Sequence, residues 1–193
     1  MQPVYIADEV FDKQDFTQTP LKKGDYDNCR FNNCDFSNSN FSELKFIDCV
    51  FTGCNLSLVL LGKTVFRDIQ FKDCKMLGLH FDHCSDFGLS FNFDNCVLNH
   101  SSFYQVKIKN TTFNHSQLQE VDFAEADLTG CIFTQCDFTN AVFDNTILEK
   151  ADLRTSVHYS IDPAMNKLKK AKFSLSEVAG LLYKYDIEID HKS

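Results

Sequence analysis

The chain has no tryptophan, only three prolines and only seven glycines in 193 residues. Glycine and proline are the usual turn residues, so a backbone that turns often must do it here with other side chains. No apolar run approaches the roughly 18 residues of a membrane span, and no membrane partner is expected. Met1 to Asp15 lacks a basic segment followed by an apolar one, so no secretory signal is read there, and a cytoplasmic location is the expectation. Bases are the minority charge: 19 Lys and Arg against 27 Asp and Glu give a formal net charge of −8. Phosphate backbones are bound by Lys and Arg, so direct contact with nucleic acid is not expected. The chain carries no P-loop, GxGxxG or GxSxG, and no enzyme activity or cofactor is expected from it.

What is abundant is phenylalanine, 20 residues, and cysteine, nine. An odd cysteine count argues against a closed disulfide framework. From Phe11, every fifth residue through Phe81 is large and apolar or aromatic. The phase slips by two within 82–92 and resumes from Phe93 through Leu153. A period of five fits neither an α-helix nor a flat strand; the chain must turn a corner every five residues. Two positions before each of these residues lies a mostly smaller one, such as Cys29, Cys34, Ser39, Cys49, Thr64, Ser101, Ala126, Cys136 and Thr146. All nine cysteines occupy this phase, counting Cys84 inside the slip. The other three positions of each repeat are mostly polar and point outward. Before Cys29 the pattern is irregular, so the first coil is the least regular.

Segments such as Cys34-Asp35-Phe36-Ser37-Asn38, Ala126-Asp127-Leu128-Thr129-Gly130 and Ala151-Asp152-Leu153-Arg154-Thr155 resemble the A(D/N)LXX consensus of pentapeptide-repeat proteins. The resemblance covers about residues 11 to 153. It implies an all-β fold, a right-handed quadrilateral parallel β-helix with four repeats per coil and residues 20 apart stacked on one another. About seven coils at the roughly 4.8 Å strand spacing make a rod about 35 Å long. Coils of a solenoid rest only on their neighbours, so the ends need caps. The expected organisation is a β-helix over 1–160 and a C-terminal cap or dimerisation segment over 161–193. Residues 82–92 are read as a bulged coil, either a packing adjustment or a short recognition loop.

In the tail, Ser174-Leu175-Ser176-Glu177 is a capping-box sequence. It should open a short helix with Leu175, Val178, Leu181 and Leu182 on one side. Ile187 and Ile189 alternate with acids, as in an edge strand. These apolar groups serve either as an end cap or as a homodimer contact; tail-to-tail pairing is what the quinolone-resistance branch of the family implies.

The cysteine pairs at a spacing of five do not have zinc-ligand spacing and are read as small core groups. The histidines show no metal spacing either, and no metal site is expected. His83 should point outward and Cys84 inward, so the two do not form a catalytic pair.

The remaining signal is charge. Residues 1–153 hold 22 acids and 12 bases. Within 111–153, Glu120, Asp122, Glu125, Asp127, Asp137, Asp144, Glu149 and Asp152 are accompanied by a single base, Lys150. The surface is either simply solvated or that of a rod mimicking DNA. The mean density, about one net charge per 3.5 Å, is half that of duplex DNA, about one per 1.7 Å. The resemblance is closest to the branch that protects type II topoisomerases from quinolones and peptide poisons. It implies DNA gyrase or topoisomerase IV as partner. The rival expectation is a non-enzymatic scaffold with another protein partner.

Overall fold

The computed structural model describes residues 3–190. The chain is a parallel β-solenoid of about seven turns, with almost no helix. Each turn has four faces, one repeat per face. We name the faces by the residues of one coil: Phe31, Phe36, Phe41 and Phe46.

Two faces carry strand ladders. On the Phe46 face, β1 (Val4–Ala7), β3 (Gly24–Asp27), β5 (Lys45–Ile47) and β7 (Val65–Arg67) pair in parallel. On the Phe31 face, β2 (Val10–Asp12), β4 (Arg30–Asn32), β6 (Val50–Thr52), β8 (Ile69–Lys72), β9 (Phe91–Asp94), β10 (Thr112–Asn114) and β11 (Ile132–Thr134) form the second ladder. The other two faces are held by isolated parallel bridges such as Asp35↔Asn55 and Ser102↔Asp122. The 20-residue register is explicit: Phe31 pairs with Phe51 and Phe46 with Phe66.

The first coil forms despite its irregular pattern, with Val4 opposite Gly24. A Cβ at position 24 would lie 2.0 Å from the Val4 carbonyl oxygen, which explains the glycine there.

The rings stack along the axis. Phe31 and Phe51 lie 4.6 Å apart at 11°, and Phe93 and Phe113 4.9 Å apart at 20°. Neighbouring faces meet edge-on, as Phe31 meets Phe36 at 5.6 Å and 73°. Both geometries suit the aromatic quadrupole. The smaller inward residue does more than fill space. Its hydroxyl or thiol donates to the carbonyl of the stacked residue one coil below: Thr64 to Phe41 at 2.8 Å, Cys54 to Phe31 at 3.2 Å, Cys131 to Ile108 at 3.0 Å and Ser156 to Phe133 at 3.0 Å. Burial pushes the Cys49 and Cys131 thiols up to about 12 and that of Cys136 to about 11, so these thiols are poor nucleophiles.

The scarcity of glycine is also explained. The residue two after the stacked one adopts left-handed backbone in repeat after repeat, and it is Asn at 33, 38, 95, 110, 140 and 145, Asp at 48, 68 and 73, and even Leu58 and Lys63. Asn and Asp tolerate this conformation because their short side chains satisfy the local backbone.

The slip is absorbed on one face. Phe71 pairs with Phe93, 22 residues on, yet their rings stack at 5.4 Å and 12° like any other pair. A 3₁₀ turn over Phe81–His83 ends the coil. A loop follows, and it replaces the strand that would extend the Phe46-face ladder. Phe91 returns to the core, whereas Phe87 at the loop tip is 76% exposed with the Arg67 guanidinium 5.9 Å from its ring centroid.

The solenoid runs past residue 160. Bridges Ile147↔Lys167 and Asp152↔Lys172 show coil geometry as far as Lys172. The tail departs from expectation in two ways. Its helix is two short 3₁₀ segments, Val178–Leu181 and Tyr183–Tyr185, and residues 186–190 form no strand. Only half of the capping box forms: Glu177 N–H donates to Ser174 Oγ at 3.3 Å, but the Glu177 carboxylate accepts from the His158 N–H instead of turning back. Without the second capping bond, and with Gly180 inside the segment, helix propagation is weak.

Candidate functional site: acidic coils and a C-terminal cap

The eight acids of the last coils do not form one stripe. The bridge columns place Asp122 on the Phe41 face, Asp127 on the Phe46 face, Asp137 on the Phe36 face and Asp152 on the Phe31 face. Glu120 follows on the Phe36 face, Glu125 and Asp144 on the Phe41 face and Glu149 on the Phe46 face. The acids therefore encircle the rod, with the densest group, Asp122, Glu125 and Asp144, on the Phe41 face.

The acids divide into two kinds. The four that precede a stacked residue lock corners. Asp122 accepts the Ala124 N–H at 2.8 Å, Asp127 that of Thr129 at 3.1 Å, Asp137 that of Thr139 at 3.1 Å and Asp152 that of Arg154 at 3.3 Å. This is the physical reason for Asp or Asn at that consensus position: its side chain satisfies the N–H two residues on. The same bond is made by Asp35 to Ser37 and Asp162 to Ala164. Glu120, Glu125, Asp144 and Glu149 lie in the other outward positions. Glu125 accepts from Gln105 at 2.7 Å, and Glu120 lies 3.1 Å from His100 Nδ1.

Cations from outside the window reach the corner acids. Lys109 pairs with Asp127 at 3.1 Å, and Asp152 takes a bidentate Arg154 and, at 3.5 Å, Lys172. The single base counted along the sequence therefore understates the local positive charge. The ionisation follows these contacts. Hydrogen bonds from Arg154 hold the Asp152 carboxyl at about 2. At Asp137 partial burial opposes ionisation, but donors from Gln119, Thr139 and His158 outweigh it and lower the pKa well below the usual carboxylate range. Asp127 is lowered too, its burial outweighed by Thr129 and Lys109.

The tail residues also divide. Leu181 packs against the core, and the Ile161 N–H donates to the Gly180 carbonyl at 2.9 Å, docking the tail across the last coil. A Cβ at Gly180 would meet the Tyr159 carbonyl oxygen at 2.1 Å. Leu182 is half-buried. Leu175, 91% exposed, faces solvent with Val178, Ile187 and Ile189, and Met165, Tyr183 and Tyr185 join them. The expected single apolar side is thus split between a capping part and an exposed part. The exposed Met165, on the last coil, was missed because it lies outside the repeat phase.

Two models of the pentapeptide repeat match the chain, a pentapeptide repeat region over residues 25–92 and a run of pentapeptide repeats over residues 122–156. The chain belongs to the pentapeptide-repeat family. No curated protein sequence matches this pentapeptide-repeat protein significantly. Among solved structures, it is similar to a trypsin-treated form of QnrB1, a plasmid-mediated fluoroquinolone resistance protein. The identity is 18%, the TM-score 0.64, and the match covers 98% of this chain and all of the other. It is similar also to HetL, a pentapeptide-repeat protein involved in heterocyst differentiation regulation in the cyanobacterium Nostoc sp. strain PCC 7120. There the identity is 14% and the TM-score 0.55, covering 88% of this chain and 87% of HetL. At these identities the likeness is one of fold.

Proposed function

We propose that this protein is a non-enzymatic DNA mimic that binds the DNA-binding surface of a type II topoisomerase, DNA gyrase or topoisomerase IV, and protects it from poisons. The observation that carries the reading is the ring of acids on the last coils, beside a tail with an exposed apolar surface. Pairing of two tails through Leu175, Val178, Ile187 and Ile189 would join two acidic segments near the middle of a rod about 70 Å long, about the length of 20 base pairs. A basic DNA-binding saddle would be drawn to such a rod by its field. The fold shared with a fluoroquinolone resistance protein supports the choice of partner. The acids and the exposed tail single out no class of drug, so poisons other than quinolones fit the reading equally well. The test is a gyrase supercoiling assay with and without drug. Rescue of the poisoned enzyme, or inhibition at high protein concentration, is the expected result; neither effect at large excess overturns the proposal.

A second reading is a scaffold for another protein partner. It is favoured by the corner-locking Asp122, Asp127, Asp137 and Asp152, whose charge has a structural use without any partner. HetL, with the same fold, is described as acting in differentiation.

A further inference from the structure

Just before the loop, the 3₁₀ turn gathers three potential ligands that the spacing of histidines along the chain does not suggest. His80 Nδ1 lies 3.3 Å from Asp82 Oδ1, and His83 Nε2 lies 3.6 Å from Asp82 Oδ2. The imidazole rings are nearly parallel, at 13°, with centroids 4.9 Å apart. One ligand atom from each of the three side chains lies within 4.8 Å of the others. Among the described residues this is the one such group of three or more.

We propose that His80, Asp82 and His83 form a binding site for a divalent transition metal ion of the zinc type. Two arguments carry it. The first is geometric. With metal–nitrogen and metal–oxygen distances of about 2.0–2.2 Å, two ligands of a tetrahedral ion are separated by about 3.3–3.5 Å. The two nitrogen–oxygen separations, each to a different oxygen of Asp82, fall at or next to that edge length, and the exposed imidazoles, stacked parallel here, complete the set by turning out of the stack so that both in-plane lone pairs meet one ion. The second is the state of the carboxylate. Asp82 Oδ1 is buried and receives no hydrogen bond of acceptable geometry, even from the nearby His80. A buried carboxylate oxygen without a donor is unfavourable, and a cation held by both imidazoles would satisfy it.

Two imidazoles and one carboxylate select zinc, nickel or copper over magnesium and calcium, which require oxygen donors. Three protein ligands leave a position for water or for a side chain of a partner. The turn is one that the five-residue periodicity cannot produce. Its residues belong to the end of one regular coil, and only the 3₁₀ geometry turns His83 back beside His80. Bound metal would fasten the coil immediately before the irregular loop that carries Phe87.

The test is calorimetric titration of the intact, tag-free chain with Zn²⁺ at neutral pH under a non-thiol reductant. One saturable equivalent is expected, weakened by about tenfold or more in His80→Asn and in His83→Asn. Both side chains are exposed, so these variants keep the fold, which circular dichroism checks. His100→Asn, which removes an imidazole beside Glu120, leaves the affinity unchanged, and Mg²⁺ does not compete. Absence of saturable binding overturns the proposal and leaves the histidines as ion-pair partners of Asp82 only. Binding that survives in the His80→Asn/His83→Asn double variant also overturns it, by assigning the zinc to cysteine thiols.

Discussion

The Thr64 hydroxyl donates a 2.8 Å hydrogen bond to the main-chain carbonyl of Phe41, one coil below and 23 residues earlier in the chain. The donor is fully buried. Thr64→Val keeps the shape and removes the bond, so a destabilisation of about 1 kcal/mol is expected. Thr64→Ser keeps the donor and should recover much of the loss. Urea unfolding monitored by circular dichroism distinguishes the pair; an unchanged Thr64→Val beside a destabilised Thr64→Ser would show that methyl packing, not the hydroxyl, matters.

Leu58 sits at φ 58 with its side chain exposed. A γ-branched apolar residue gains nothing from left-handed backbone and carries strain of about 1 kcal/mol. Leu58→Asn places there the residue that other repeats use at this corner. A gain of about 0.5–1 kcal/mol is expected, read as a higher urea midpoint at unchanged slope. An unchanged or lower midpoint would mean that the packing lost with the Leu58 side chain outweighs the backbone term.

Acid stability should depend on the corner aspartates. The folded pKa values of Asp137 and Asp152 are depressed, the latter to about 2. A depressed carboxylate contributes stability that is present above its unfolded value, near 3.9, and is lost as pH falls through the folded one. Asp152→Asn should therefore be less stable than the parent at pH 7, and the difference should shrink between about pH 4 and pH 2. A difference that stays constant over that window would mean that the charge of Asp152 contributes nothing and its shape contributes everything.

The five-residue period made the axis of this molecule legible. Phe31, Phe51, Phe71 and their neighbours had to point the same way, and the 20-residue register follows from four corners per coil. The thiol and hydroxyl donors were half-legible: the inner slot is rich in Cys, Ser and Thr, where pure packing would be served by Ala alone. The division of the acids was hidden, because Asp127 and Glu125 look alike in a charge count. Their difference comes from two positions of offset in the repeat, which decides whether a carboxylate faces a corner N–H or water. The site at His80, Asp82 and His83 was hidden for a related reason. Periodicity describes the coil, and these residues meet where the chain leaves it.

That division redirects the test of DNA mimicry. Reversing Asp122, Asp127 or Asp137 removes a corner acceptor, so a loss of function there mixes unfolding with lost charge. Glu120, Glu125, Asp144 and Glu149 have no such duty to a corner N–H. Their combined change to Gln should shift the thermal midpoint little and weaken topoisomerase binding, most at low ionic strength, where the field is least screened. Retained affinity with intact fold would favour the scaffold reading.

The tail gives the last prediction, because its two parts make opposite demands. Leu181 and Gly180 hold it to the final coil, so Gly180→Val should displace the cap and lower stability. Leu175 and Ile187 contribute little to that packing and expose apolar surface. If two copies pair through this surface, Leu175→Glu with Ile187→Glu buries unpaired charge at the interface and should yield monomers of unchanged thermal midpoint at low protein concentration. Sedimentation velocity measures both chains directly. A parent that sediments as a monomer at tens of micromolar removes the long-rod geometry, since one rod of about 35 Å spans only about 10 base pairs of a topoisomerase saddle.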